Sequence, residues 1–343
     1  MAKKIIFCAD GTWDGTTSNT NVYKLFKATL VSAGQIPFYD DGVGSDGTSF
    51  EKLVGGAFGE GLFQKIKDGY SKISHVYEEG DEIFIFGFSR GAFTARSIAG
   101  MISVCGLPTG NFDDNLVELA FNAYRNPGNR TDILNGLAKY SLFNAKITMV
   151  GVWDTVGALG IPAYFGQVDP LRYGFLDTSL HPDVLNAYQA LSIDERRQEF
   201  PPTLWIQPSP ALPGQTLEQV WFCGVHCDVG GGYPETDLSD ITFSWMLKKA
   251  TDLGLVVDPT VLKSYALMDS KLALSEIHES WNVGWGIPKE RTIPNNSLIS
   301  NSVLIRKEAD DAYDPSDLIS QNGPFTFQTV DVVAEPSDVP ITT

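Results

Sequence analysis

The sequence predicts an α/β protein, a doubly wound and mostly parallel sheet with helices on both faces. Three observations carry that expectation. Short continuous apolar runs recur, the pattern of strands buried on both faces. Stretches with helical spacing lie between them, as in repeated βαβ units. The strongest apolar runs break off in turns rich in Gly and Asp, which places polar side chains at strand ends.

Taken in order, residues 5–9 form the first expected strand, ending in Asp10-Gly11-Thr12-Trp13. Residues 19–30 read as a helix with Val22, Leu25, Phe26 and Leu30 on one face. Residues 36–39 are a second strand, running into Asp40-Asp41-Gly42-Val43-Gly44. A long helix fits 60–77, where Leu62, Phe63, Ile66, Tyr70, Ile73 and Tyr77 recur at helical spacing. Residues 82–86 are the clearest buried strand, followed by a small-residue helix over 92–104. Helices are expected over 113–124 and 131–139. A strand over 146–152 leads into Trp153-Asp154-Thr155-Val156-Gly157. Residues 181–191 read as a helix with Pro182 at its first position. The strand at 219–223 leads into Gly224-Val225-His226-Cys227-Asp228-Val229-Gly230-Gly231-Gly232-Tyr233. Asp237 is the expected cap of a helix running to about residue 253. One domain over 1–343 is expected, with 158–218 as a cap insertion and 256–343 as a less regular C-terminal part.

The 343 residues include 25 Lys and Arg against 42 Asp and Glu, a net charge of −17. That balance argues against a nucleic-acid binder, which needs a basic face to neutralise phosphate. The composition is that of an ordinary globular chain, which excludes a collagen-like or disordered one. Four cysteines in this length do not make a disulfide scaffold. The apolar run after Lys3-Lys4 stops at Asp10, short of the roughly 7–15 residues of a signal-peptide core. No run approaches the roughly 20 apolar residues of a membrane-spanning helix. A soluble protein made in the cytoplasm is expected, with export by a signal-peptide-independent system left open.

The sharpest chemical feature is Gly87-Phe88-Ser89-Arg90-Gly91, of the form G-x-S-x-G, between the clearest strand and a helix. A serine on so tight a strand-to-helix turn is lifted above the sheet edge at a helix N-terminus. A serine nucleophile needs a base, and the base needs an orienting acid. In this arrangement the chain order is Ser, then Asp or Glu, then His, each after a strand. Asp154 and His226 meet both conditions, and His278 is the runner-up base. A helix N-cap is the competing role for Asp154. Backbone N–H groups for an oxyanion are expected from Arg90 and from Gly11 or Thr12 after the first strand. Asp10-Gly11-Thr12 lacks the first aspartate of the D-x-D-G-T phosphatases, since Cys8 stands there. The glycine-rich 55–61 stretch lacks the endings of phosphate-binding loops. Cys223 and Cys227 have no second Cys/His pair to complete a zinc set. No cofactor or metal is expected.

The run from Gly80 to Arg96, together with Asp10-Gly11-Thr12, Trp153-Asp154-Thr155-Val156-Gly157 and His226-x-Asp228-Val229-Gly230-Gly231-Gly232-Tyr233, resembles the signature of an α/β-hydrolase family. Its best-known members are the phospholipase effectors of type VI secretion systems. The resemblance covers roughly residues 3–255, in one order throughout. It implies a serine hydrolase of esters, with phospholipid as the effectors' substrate and a secretion or immunity protein as partner. It also implies Ser89 as nucleophile, His226 as base, and Asp10 and Asp228 as supporting residues that orient a partner or brace the oxyanion loop. One departure stands out: Asn301-Ser302-Val303 replaces a His-Ser-Val-type motif. The alternatives are an esterase for small soluble esters and a non-catalytic binding module that keeps the hydrolase fold.

Overall fold

The computed structural model describes residues 2–11, 18–32, 34–42, 58–137, 139–140, 142–157, 178–266, 268–313, 315 and 327–334. In the N-terminal half the elements are β1 Lys4–Ala9, α1 Asn21–Ala28, β2 Gln35–Asp40, α2 Phe58–Val76, β3 Glu82–Phe88 and α3 Ser89–Cys105. Next come the short β4 Leu107–Pro108, α4 Asp114–Arg125, α5 Arg130–Leu137 and β5 Leu142–Phe143. Then follow β6 Met149–Trp153, β7 Asn186–Ser192, β8 Thr216–Phe222, α6 His226–Gly230, α7 Asp237–Asp252, α8 Pro259–Ser264, β9 Ser297–Ser300, α9 Asn301–Ala309 and β10 Phe327–Val330.

Eight strands form one sheet in the order β10-β9-β8-β7-β6-β3-β1-β2, and every neighbouring pair is parallel. β4 and β5 pair separately and antiparallel. The central strands carry no polar face because both faces are covered. In β1, Ile5, Phe7 and Ala9 join one core with α2, α3 and α4, while Ile6 and Cys8 join a second core with α1 and α7. Phe84 and Phe86 of β3 are fully buried in the second core, and truncating either to alanine would cost about 3–5 kcal/mol. Helix ends are satisfied locally. Thr20 caps α1 by accepting from the Tyr23 N–H, and Asp113 caps α4 by accepting from Leu116, each cap worth about 1 kcal/mol.

The strand order turns around at β1. The chain steps from β1 out to β2, then back past β1 to β3 and onward. The helices that follow β1 and β3 therefore lie on opposite faces of the sheet, α1 in the second core and α3 in the first, which makes the carboxyl ends of β1 and β3 a switch point. In open α/β sheets this is where ligands bind.

Two expectations from the sequence are corrected. Residues 181–191 do not form a helix, since Asn186–Ser192 is a central strand between β6 and β8. Val184, Ala187, Tyr188 and Leu191 have helical spacing, but a strand buried on both faces shows no alternation to contradict it. The segment 158–218 is also not one inserted cap, because it contributes β7 and the start of β8 to the sheet; residues 158–177 lie outside the described residues. The less regular part beyond 256 adds two more strands, β9 and β10, to the sheet edge.

Candidate active site

Ser89 stands between the end of β3 and the first turn of α3. Its φ is 57°, in the left-handed region that non-glycine residues rarely adopt. Such strain persists only where the surroundings enforce it. Here the enforcement is close backbone packing. A Cβ on Gly91 would strike the carbonyl oxygens of Ala9 and Asp10, and one on Gly87 would strike the Gly91 carbonyl. Only glycine on both sides lets α3 start this close to the end of β1.

Asp154 follows β6, also with a positive φ, 39°. The register pairs Phe88 with Trp153, so Ser89 and Asp154 stand level at the ends of adjacent strands. The Asp154 N–H donates to Ala190 O of β7 at 2.8 Å. His226 opens α6, immediately beyond β8. Its Nδ1 lies 2.6 Å from Asp154 Oδ2. A carboxylate can only accept, so Nδ1 carries the proton and Nε2 presents its lone pair. Nε2 is buried with no hydrogen-bond partner. The imidazole packs against Phe88, the residue before Ser89, at 4.6 Å between ring centroids, and against the edge of Phe200 at 5.0 Å. Ser89 and His226 form no hydrogen bond with each other in this state.

Asp154 is completely buried, yet it stays ionised. Burial pushes its carboxyl up, but the Arg291 guanidinium and the His226 hydrogen bond outweigh that and hold it well below the usual carboxylate range. Arg291 donates to Oδ1 at 2.6 Å and to Oδ2 at 2.8 Å. It also donates to the Ser192 and Phe200 carbonyls. The Ser192 N–H reaches Asp154 Oδ1 at 3.1 Å. His226 is shifted below its ordinary value, chiefly by burial, with Asp154 opposing. At neutral pH it is therefore a neutral imidazole able to accept a proton.

Glu195 supports the histidine from behind. Its Oε2 accepts from the His226 N–H at 3.3 Å, and both carboxylate oxygens bind Arg197 at 2.9 and 2.8 Å. Burial raises its pKa, but Arg197 brings it down to about 2. Neither Arg291 nor Glu195 stood out in the sequence. Arg291 lies 137 residues beyond Asp154 in a stretch without motif or clear periodicity. Glu195 follows a strand that reads as a helix.

Asp10, after β1, accepts from Gly11 N at 2.9 Å and from the Thr20 and Tyr39 hydroxyls at 2.6 Å each. Burial pushes its pKa up to about 6 against these three bonds. It braces the loop beside Gly91. The Gly11 N–H, expected as an oxyanion donor, is turned onto Asp10 in this state, and Thr12 lies outside the described residues. Arg90 sits in the first turn of α3, as expected from the motif.

Asp228 does not touch the candidate base. Its Oδ2 accepts from Val225 N, and its Oδ1 lies 2.6 Å from His278 Nδ1. His278, the runner-up base, is thus engaged elsewhere. It stacks on Tyr233 at 3.9 Å; burial lowers its pKa, but Asp228 and Glu235 together outweigh that and raise it above the ordinary value. Asn301 is buried at the far edge of the sheet, donating to Val333 O and accepting from Val332 N and Val333 N. It has a structural task of its own there. Among the described residues, no three His, Cys, Asp or Glu side chains come together to hold a metal, and no helix is long and apolar enough to cross a membrane.

With this geometry in place, the chain can be set beside known proteins. An uncharacterised protein of Saccharomyces cerevisiae, YEL023C, is 30% identical over 240 residues, covering 62% of this chain and 34% of the yeast protein. An uncharacterised protein from Pseudomonas aeruginosa of known structure aligns at 16% identity with a TM-score of 0.47, over 79% of this chain and 48% of that one. The Tle1 effector bound to the VgrG spike of the type 6 secretion system aligns at 18% identity with a TM-score of 0.35, over 68% and 51%. The chain thus spans about a third of the yeast protein's length and about half of each solved chain. The family model described as the catalytic domain of the T6SS phospholipase effector Tle1-like group matches residues 3–249, which include Ser89, Asp154 and His226. The chain belongs to this Tle1-like catalytic-domain family.

Proposed function

We propose that the chain is a serine hydrolase of carboxylic esters, acting on acyl esters of lipids or phospholipids, with Ser89, His226 and Asp154 as its catalytic triad. The observation that carries this reading is the 2.6 Å contact from His226 Nδ1 to Asp154, which leaves a bare Nε2 beside the strained Ser89 turn. His226 Nε2 takes the Ser89 hydroxyl proton as Oγ bonds to the acyl carbonyl carbon. The Arg90 N–H at the positive end of α3 receives the oxyanion, joined by the loop at Gly11 and Thr12 once Gly11 releases Asp10. The imidazolium then protonates the departing alcohol oxygen. Water attacks the acyl-serine, His226 takes the water's proton and returns it to Ser89 Oγ, and the carboxylic acid leaves. Arg291 and Ser192 hold Asp154 in place throughout.

Membership in a family of phospholipase effectors supports the lipid-ester class. It likewise supports export with a secretion partner. Turnover should appear across an ester series of increasing acyl length or on phosphatidylcholine vesicles, and vanish in Ser89→Ala. A folded protein inactive on the whole series would overturn the assignment.

One observation favours a second reading, a binding module on a hydrolase fold: Ser89 makes no hydrogen bond to His226 here. Catalytic contacts often tighten only when substrate binds. A substrate-analogue complex in which Ser89 and His226 remain apart would decide for the binding module.

A further inference from the structure

The stretch Trp281-Asn282-Val283-Gly284-Trp285-Gly286-Ile287-Pro288 carries no charge, in a chain whose net charge is −17. Its shape is built in. Asn282 caps a single tight turn by accepting from Gly284 N at 2.9 Å, and the Trp281 indole N–H donates across the loop to Gly286 O at 3.2 Å. Gln198 donates to Ile287 O at 2.6 Å, and Lys289 N donates to Arg196 O at 2.9 Å. The loop is thus tied to the segment that carries Glu195, Arg197 and Phe200. This fixed shape leaves Val283 87% and Ile287 76% exposed. Holding two largely exposed branched aliphatic side chains in water is unfavourable, and any apolar medium that receives them is favoured.

Trp285 connects this tip to the candidate site. Its ring meets Phe200 edge-on at 5.7 Å, and Phe200 meets His226 edge-on at 5.0 Å. The Arg197 guanidinium lies 3.7 Å from the Phe200 ring centroid and 5.2 Å from that of Trp285. An apolar tip, an indole and a guanidinium therefore follow one another toward the base. That sequence of layers matches the profile of a bilayer, from acyl chains to headgroups, where indoles settle at the boundary.

We propose that the Trp281–Pro288 loop docks the protein on a neutral phospholipid surface, with Val283 and Ile287 entering the acyl boundary and Trp285 at headgroup level. The inference rests on the lipid-ester reading for its purpose, not for its test. Two side chains on a narrow glycine-flanked tip suit a fluid medium that needs no matching shape. A stable protein partner would need about 800 Å² of complementary surface on each side. The neighbouring charges argue for a neutral surface over an anionic one. Arg196 is paired with Glu279 and Arg197 with Glu195, and the exposed Lys289 that follows the loop is offset by its neighbour Glu290. The overall negative charge adds repulsion from anionic lipid.

The test uses the full chain carrying Ser89→Ala, so that binding is read without turnover, and co-sedimentation with phosphatidylcholine vesicles. Binding is expected, and Val283→Asp with Ile287→Asp should weaken it at least tenfold. If the double Asp variant does not fold, the Val283→Ser, Ile287→Ser pair serves in its place. With Ser89 intact, the loop variant should keep turnover of a short soluble ester within about twofold and lose most turnover on vesicles. No binding to phosphatidylcholine vesicles overturns the proposal, as does undiminished binding by the loop variant. Binding to phosphatidylglycerol vesicles that survives the loop substitutions would assign docking to surface cations and also overturn it. Vesicle binding through the loop in a chain that hydrolyses no ester would leave docking standing and remove only the hydrolase reading.

Discussion

Arg291 donates to both carboxylate oxygens of Asp154, and one of the two, Oδ2, is the oxygen that also holds His226. The clamp comes from beyond residue 249, outside the stretch that matches the family. Asp154, the proposed orienting acid, is thus held by a segment that no motif announces.

Removing that clamp should be costly in two distinguishable ways. Arg291→Met leaves a buried carboxylate with one fewer charge partner, a loss of roughly 3–5 kcal/mol of stability at neutral pH. Asp154 has its pKa depressed in the folded protein. Its contribution is therefore present above the ordinary carboxylate value near 3.8 and is lost only as pH falls through the lower folded value. Denaturant melts of both proteins between pH 4 and 8 measure the difference.

The same variant should change the pH dependence of turnover. His226 is shifted below its ordinary 6.5, so the acid limb of kcat/KM is expected below that pH in the native chain. Without Arg291, the Asp154 charge is compensated less, and His226 binds its proton more tightly. The acid limb then moves to higher pH. An unchanged limb in a folded variant would mean that Arg291 has no influence on the base.

Asp10 should show the opposite linkage. Burial pushes its pKa up to about 6, above the ordinary 3.8. The folded chain favours its proton, so this contribution is fully present below pH 3.8 and is lost as pH rises through 6. Asp10→Asn removes the titration, and stability should then fall less between pH 4 and 7 than in the native chain. Activity should drop as well, because the loop beside Gly91 loses an acceptor for Thr20, Tyr39 or Gly11.

Gly91→Ala tests the packing that forces the Ser89 turn. The new methyl would meet two backbone carbonyls that have nowhere to go. A loss of about 2–4 kcal/mol is expected, together with loss of ester turnover, read by thermal unfolding and by assay.

Asn301→His restores the residue expected from the family motif, yet it should not help. Asn301 satisfies three backbone groups at Val332 and Val333 with one amide, and an imidazole cannot donate to one and accept from both others. A loss of about 1–3 kcal/mol is expected, with no gain in turnover.

Much of this site was legible because the short apolar strands and their turns are local signals. β1, β3, β6 and β8 were read directly, and with them the positions of Asp10, Ser89, Asp154 and His226. β7 was misread because a strand buried on both faces lacks the alternation that separates it from a helix. Glu195 was lost with it. Arg291 and the His278–Asp228 contact depend on a return of the chain across the sheet ends, made by residues with no periodic pattern. Gly11 is expected from the sequence as an oxyanion donor, but its N–H donates to Asp10 in the structure, a contact that depends on how deeply that carboxylate is buried.

The most direct measurement is reaction of the folded chain with a fluorophosphonate, followed by peptide mapping. A single stoichiometric adduct on Ser89 is expected, absent in Ser89→Ala and slowed by orders of magnitude in His226→Ala. A folded protein that stays unlabelled, or carries the adduct elsewhere, would contradict Ser89 as the nucleophile.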